Sequence, residues 1–177
     1  MTQNQGLEWD IAVDYAEWET ALPNFHEIIE QSIELIKSEV TEGGRLEQFM
    51  LIEVGVVLCD DNLIHELNRD YRNKDKATNV LSFNGLDEDE ISTLLKEGEP
   101  SAQHPYSLGE IYIAYETVKR EADEAGIQLK AHFTHMVIHG LLHLLGYDHI
   151  KDNEAEIMEA IEVKLLKKLG IDDPYTT

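Results

Sequence analysis

A chain of 177 residues with 42% hydrophobic content is long enough for one domain with its own core and too apolar to stay disordered. Thirty-six acidic against 14 basic residues leave a net charge of −22, which repels polyanions and argues against a general nucleic-acid-binding surface. The single Cys59 excludes an intramolecular disulfide, no run of 18 apolar residues offers a membrane span, and the N-terminus MTQNQGLEWD lacks the features of a secretory signal.

Leu7, Trp9, Ile11 and Val13 alternate with polar residues, the period of a half-buried strand. Residues 24–41 place Phe25, Ile28, Ile29, Ser32, Ile33, Ile36 and Val40 on one side of a helix, with Asn24 as the expected N-cap and Gly43-Gly44 as its stop. Met50 to Cys59 is β-branched and apolar, which predicts a largely buried strand holding Cys59 as a reduced thiol. Asp60 or Asp61 then caps a short helix with Leu63, Ile64 and Leu67 inward.

That helix leads into Asn68–Lys76, where Arg69, Arg72, Lys74 and Lys76 outnumber Asp70 and Asp75. The other net-positive stretch, Lys164–Lys168, lies where a helix C-terminus favours cations. Thr78–Phe83 reads as a strand. Arg72 just before it suits the edge of a cleft, where a guanidinium fork clamps a phosphate, and suits an ordinary surface ion pair as well.

Residues 85–105 form a polar connection with a short helix expected around Ile91–Lys96. Ser107–Ala114 resumes strand character. Within it Glu110 has two readings: a buried carboxylate that orients an imidazole, or a side chain facing water. Helices are expected over Tyr115–Ala125, ended by Gly126, and over Leu129–Leu145. A last helix spans Asp152–Leu169, with Met158, Ile161, Leu165 and Leu169 inward, acids in its first half, lysines in its last turn and Gly170 as stop. The tail Asp172–Thr177 is expected to be loose.

The helix before Leu145 carries the chemistry, in the run His139-Gly-Leu-Leu-His143-Leu-Leu-Gly146-Tyr-Asp-His149. Residues four apart on a helix differ by about 40° in direction and about 6 Å in rise, so His139 and His143 share a face. Gly146 permits the positive φ at which a helix ends, and the chain can then return His149 to the same point. Three imidazoles with an open coordination position mark a catalytic metal site; they suit zinc, and nickel, copper and iron accept them too. With eight histidines in the whole chain, this spacing is a rare coincidence.

The spacing equals that of the metzincin peptidases, but Gly140 stands where they carry the glutamate that acts as general base. The helix is built for a metal and lacks the peptidase's proton acceptor. His135, one turn earlier on the same face, reads as a fourth ligand or a cleft-lining residue. Asp148 is placed to orient His149 or its neighbours. His132 reads as a surface or supporting residue, and His26, His65 and His104 have no ligand spacing.

The run HGLLHLLGYDH, followed by Asp152, Glu154 and Glu156, resembles the signature of the YbeY family, bacterial metal-dependent endoribonucleases of ribosomal RNA maturation. Two further blocks agree: Leu67-Asn-Arg-Asp-Tyr71-Arg72-Asn-Lys-Asp75-Lys-Ala-Thr78-Asn79-Val-Leu-Ser-Phe83 and Leu108-Gly109-Glu110-Ile111. The resemblance implies Arg72 as the catalytic arginine, one zinc ion on His139, His143 and His149, and a loop shaped by Lys74, Asp75, Thr78 and Asn79. It further implies single-strand-specific cleavage at the 3′ end of 16S rRNA and a role in ribosome quality control in the cytoplasm. The implied partners are ribosomal RNA and a ribosomal protein or assembly GTPase. Two alternatives are a non-catalytic assembly factor with a structural metal and a metal-dependent hydrolase of another substrate.

Strands and helices alternate without Rossmann or P-loop glycines, which predicts an α+β fold in one domain over residues 1–177. A small mixed β-sheet should carry the helices, with the metal-binding helix packed centrally and a cleft between it and the loop of Arg72.

Overall fold

The computed structural model describes residues 7–45, 52–87, 89–91, 106–148 and 150–176. Among these, β1 (Leu7–Val13), β2 (Ile52–Cys59), β3 (Val80–Asn84) and β4 (Tyr106–Ala114) form one sheet in the order β1-β2-β4-β3. β1 runs parallel to β2 and β2 to β4, while β3 pairs antiparallel with β4 at one edge. The sheet is mixed and carries helices, so the α+β expectation holds.

Side chains on a strand alternate between faces, and here they feed two cores. Val56, Leu58, Ile111 and Ile113 enter the main core; Val57, Cys59, Tyr112 and Ala114 join Ile64 in a smaller one on the opposite face. Cys59 is buried and unbridged, and burial pushes its thiol up to about 12, leaving a small inert hydrophobe.

Seven helices are described: α1 (Glu17–Ala21), α2 (Phe25–Glu39), α3 (Thr41–Arg45), α4 (Asp61–Arg72), α5 (Tyr115–Ala125), α6 (Leu129–Leu144) and α7 (Asp152–Lys168). α2 buries Phe25, Ile28, Ile29, Ser32, Ile33 and Ile36 as its apolar stripe predicts. Its ends differ from expectation. The Asn24 side chain makes no capping bond, and the helix stops at Val40, which turns extended. Gly43 and Gly44 lie inside α3 instead: a Cβ on Gly43 would stand 2.4 Å from the Ile36 carbonyl oxygen, so that glycine serves close approach.

Asp60 caps α4 by accepting from the Leu63 N–H at 2.9 Å. Asp61 instead accepts from the Thr117 N–H and hydroxyl, tying α4 to the start of α5. α4 continues to Arg72 and ends at Asn73, which adopts a left-handed φ of 57°. Arg72 is therefore the last residue of a helix and not part of a loop. Asn68 is buried on the inward face and bonds the Lys76 carbonyl at 2.9 Å, which extends the ordered turn. Of the helix expected around Ile91–Lys96, only Ile91 is among the described residues.

α6 is apolar almost all round, with Phe133 to Ile138 and Gly140 to Leu142 buried, which is the pattern of an embedded helix. It packs against α2, α5, α7, β3 and β4. Gly140 sets its distance from the sheet: a Cβ there would lie 2.8 Å from Ile111 Cγ2. Its carbonyl accepts from the Ser82 hydroxyl on β3 at 3.1 Å. After Leu145, Gly146 takes φ +100°, with Tyr147 N–H donating to the Leu142 carbonyl and Gly146 N–H to that of His143. This paired closure ends the helix where the spacing predicts.

Gly140→Ala is therefore expected to destabilise the fold by about 1–3 kcal/mol, because overpacking outweighs the helix-propensity gain of about 1 kcal/mol. Urea unfolding measures the loss, and Ile111→Ala, which removes Cγ2, should cost less in the Gly140→Ala chain than in wild type.

Candidate metal centre and cleft

α6 presents His135, His139 and His143 at four-residue steps along one face. The His139 and His143 Nε2 atoms stand 3.1 Å apart. Two nitrogens bound to one tetrahedral ion at roughly 2.0–2.1 Å are separated by about 3.3 Å, so this pair fits a shared divalent cation. Glu162 Oε1 lies 2.6 Å from His139 Nδ1. An ionised carboxylate only accepts, so it keeps the proton on Nδ1 and leaves Nε2 as the unprotonated nitrogen of His139, facing His143.

Glu162 comes from α7 and is fully buried. Its second oxygen accepts from His135 Nε2 at 2.7 Å and from the Tyr175 hydroxyl. Burial opposes its ionisation, yet the hydrogen bonds from His135 and His139 lower its carboxyl from the ordinary 4.5 to about 2. His135 Nδ1 is buried with no hydrogen-bond partner among the described residues. His135, His139 and Glu162 bring potential ligand atoms within 4.8 Å of one another, a candidate metal-binding triad. Its two histidine–carboxylate contacts, at 2.6 and 2.7 Å, are hydrogen-bond separations that leave no room for an ion between the bonded atoms.

Glu162 and Tyr175 carry no mark in the sequence reading. Glu162 had a signal: it falls between Met158 and Leu165 on the inward stripe of α7, where an acid needs a partner. The tail, expected to be loose, is turned back instead, with Asp173 accepting from the Tyr175 N–H at 2.8 Å. A local turn of this kind has no periodic pattern.

His139 and His143 line a cleft of about 730 Å³ together with Arg72, Lys74, Lys76, Ser82, Tyr147 and Asp148. Arg72 Nη2 donates to the Ser82 carbonyl at 2.8 Å. Since the Ser82 hydroxyl bonds Gly140, one residue connects the arginine to the histidine helix. The Tyr147 hydroxyl donates to Glu42 Oε2 at 2.7 Å, fixing the cleft wall beyond α6.

Of the two readings of Glu110, the one that faces water fits its place in the structure. Its side chain is exposed and accepts from the Tyr112 hydroxyl at 2.9 Å, on the sheet face opposite Ile111 and α6. Asp148 lines the cleft, whereas His149 and His104 lie outside the described residues. His132 is 3.1 Å from Glu121, which also accepts from Asn79; His65 pairs with Asp75, and His26 packs on Phe25.

A family model described as Endoribonuclease YbeY matches residues 12–170. A protein named endoribonuclease YbeY from Erythrobacter litoralis is 52% identical over 125 residues, covering 70% of this chain and 74% of its own. One of the same name from Rhodospirillum rubrum is 43% identical over 168 residues, 93% of this chain and 80% of its own. The fold is similar to that of a Thermotoga maritima protein solved in solution, with a TM-score of 0.55 and 23% identity over 96% of this chain and all of that one. The histidine run, the arginine block and strands β2, β3 and β4 fall within the matched residues, and the chain belongs to the endoribonuclease YbeY family.

Proposed function

We propose that this chain is a metal-dependent endoribonuclease that cuts single-stranded RNA late in ribosomal RNA maturation, at the 3′ end of 16S rRNA, and serves ribosome quality control in the cytoplasm. One observation carries the reading: the paired His139 and His143 Nε2 atoms, 3.1 Å apart, open onto the cleft that Arg72 lines.

His139, His143 and His149 would hold one zinc ion, with Glu162 keeping the His139 ring in place and in the right tautomer. When bound, the ion supplies Lewis acidity, offsetting charge on a phosphoryl group and acidifying water. Arg72 supplies the rest from the chain itself. Its guanidinium is steadied by the Ser82 carbonyl, and its fork has donors to spare for a phosphodiester. Charge that develops on the non-bridging oxygens is offset there. A peptidase lacks its base here, because position 140 is a glycine pressed against Ile111.

The net charge of −22 favours one other reading, a ribosome-assembly factor that carries metal without cutting. The same acidity suits docking on a ribosomal protein or assembly GTPase. Metal-loaded, cleavage-dead variants that still support normal ribosomes would establish it.

The test uses a labelled ribosomal RNA fragment with an immature 3′ end, cut by wild type, chelated wild type and variants purified identically. His143→Ala should lose both metal and cleavage. Arg72→Ala should keep its metal while cleavage falls by about 10²–10³-fold; metal loss in that variant would remove the division of roles. Equal cleavage in every sample would expose a contaminating nuclease. A 2′,3′-cyclic phosphate on the product would identify attack by the ribose 2′-hydroxyl, and its absence attack by water. Glu162→Gln should weaken zinc binding by about 10–100-fold in competition with a chelator, since an amide cannot accept from both imidazoles through two oxygens.

A further inference from the structure

The segment after α7 reaches back to the metal centre. Gly170 closes α7 at φ +76°, with the Ile171 N–H donating to the Leu166 carbonyl at 2.9 Å. Asp173 then organises a short turn, accepting from the Tyr175 N–H on its carboxylate and from the Thr176 hydroxyl on its carbonyl, at 2.8 and 3.0 Å. The turn delivers the Tyr175 ring against His135, with centroids 5.6 Å apart and planes at 87°. The Tyr175 hydroxyl donates to Glu162 Oε2, while Oε1 of the same carboxylate holds His139. Tyr175 lies beyond residues 12–170, the span that the family match covers.

We propose that Tyr175 is a positioning residue for the metal centre: its hydroxyl fixes the Glu162 carboxylate in the orientation that aims His139 Nε2 at the metal. The inference rests on the histidine site proposed above. A carboxylate with donors on both oxygens cannot turn about its Cγ–Cδ bond without losing one of them. His135 and His139 already engage one oxygen each, and Tyr175 adds a second donor on Oε2, so without the tyrosine that oxygen is held by a single bond among the described residues and the carboxylate is less tightly fixed. Tyr175 is 42% exposed while Glu162 is fully buried, so the ring also stands between the carboxylate and solvent that would compete for it. Burial and the neighbouring Glu162 push the tyrosine hydroxyl's pKa up, so it remains a donor.

The experiment loads metal-free full-length protein with zinc in competition with a chromogenic chelator, and follows urea unfolding of the metal-free form in parallel. Tyr175→Phe keeps the ring against His135 and deletes the hydroxyl; Tyr175→Ala deletes both. Both should lower zinc affinity several-fold, less than the loss caused by changing Glu162 itself, while the metal-free urea midpoint falls less in Tyr175→Phe than in Tyr175→Ala. Wild-type affinity in Tyr175→Phe would overturn the inference. A loss confined to Tyr175→Ala would do the same, assigning the effect to ring packing. His143→Ala separates the two levels: if it binds zinc as wild type does, the histidine site itself fails; if it loses zinc while Tyr175→Phe does not, only the role of Tyr175 fails.

Discussion

A carboxylate with no exposure to solvent must find its donors inside the protein, and Glu162 decides which parts of the chain meet. Its two oxygens draw His135 and His139 from α6 and Tyr175 from the tail onto one point of α7. Leaving such a group without partners costs several kcal/mol, so the arrangement is far stiffer than a surface ion pair between the same residue types. The stiffness also has a chemical result. With Nδ1 of His139 committed to the carboxylate, the ring offers only Nε2 to the cleft, beside Nε2 of His143.

Arg72 is held by a different route that ends on the same helix. The end of α4 places it beside β3, the Ser82 carbonyl takes one of its N–H groups, and the Ser82 hydroxyl bonds the Gly140 carbonyl. Because residue 140 has no side chain, α6 sits close enough to β4 and β3 for that bond to form. The site is thus assembled from a helix terminus, an edge strand and an embedded helix. Elements of this kind hold a binding geometry more tightly than loops do, since moving any of them disturbs packed side chains.

What was legible in the sequence follows the range of the interaction that determines it. His139, His143 and the break at Gly146 depend on helix geometry over a few residues, and each stands where its spacing puts it. Asp60 as a cap and the inward stripe of α2 are equally local. Arg72 is ambiguous on its own residues, because the choice between a surface pair and a cleft depends on strand order; the resemblance favours the cleft, and the structure places Arg72 on its lining. Glu110 depended on which sheet face α6 would cover, a tertiary fact that alternation within β4 does not contain; α6 covers the side of Ile111. Glycine pairs mislead in a related way. Gly43-Gly44 looked like a stop, but the absent Cβ serves a close approach to the last turn of α2.

Charge works at two distances in this protein. Opposing charges are screened beyond roughly 8–10 Å at physiological ionic strength, so most of the −22 has little hold on a phosphate already inside the cleft. There the nearby groups decide. Among the described residues, Arg72, Lys74 and Lys76 against Asp87 and Asp148 leave the lining near +1, three cations less two carboxylates with histidines neutral, and a divalent ion would raise it further. α4 contributes as well, because its C-terminus stabilises the cations that end it. At longer range the acidic surface repels free RNA and slows its encounter with the cleft. Repulsion outside and attraction at one point inside act together as selectivity: the cleft can hold a phosphodiester without the surface gathering every RNA it meets.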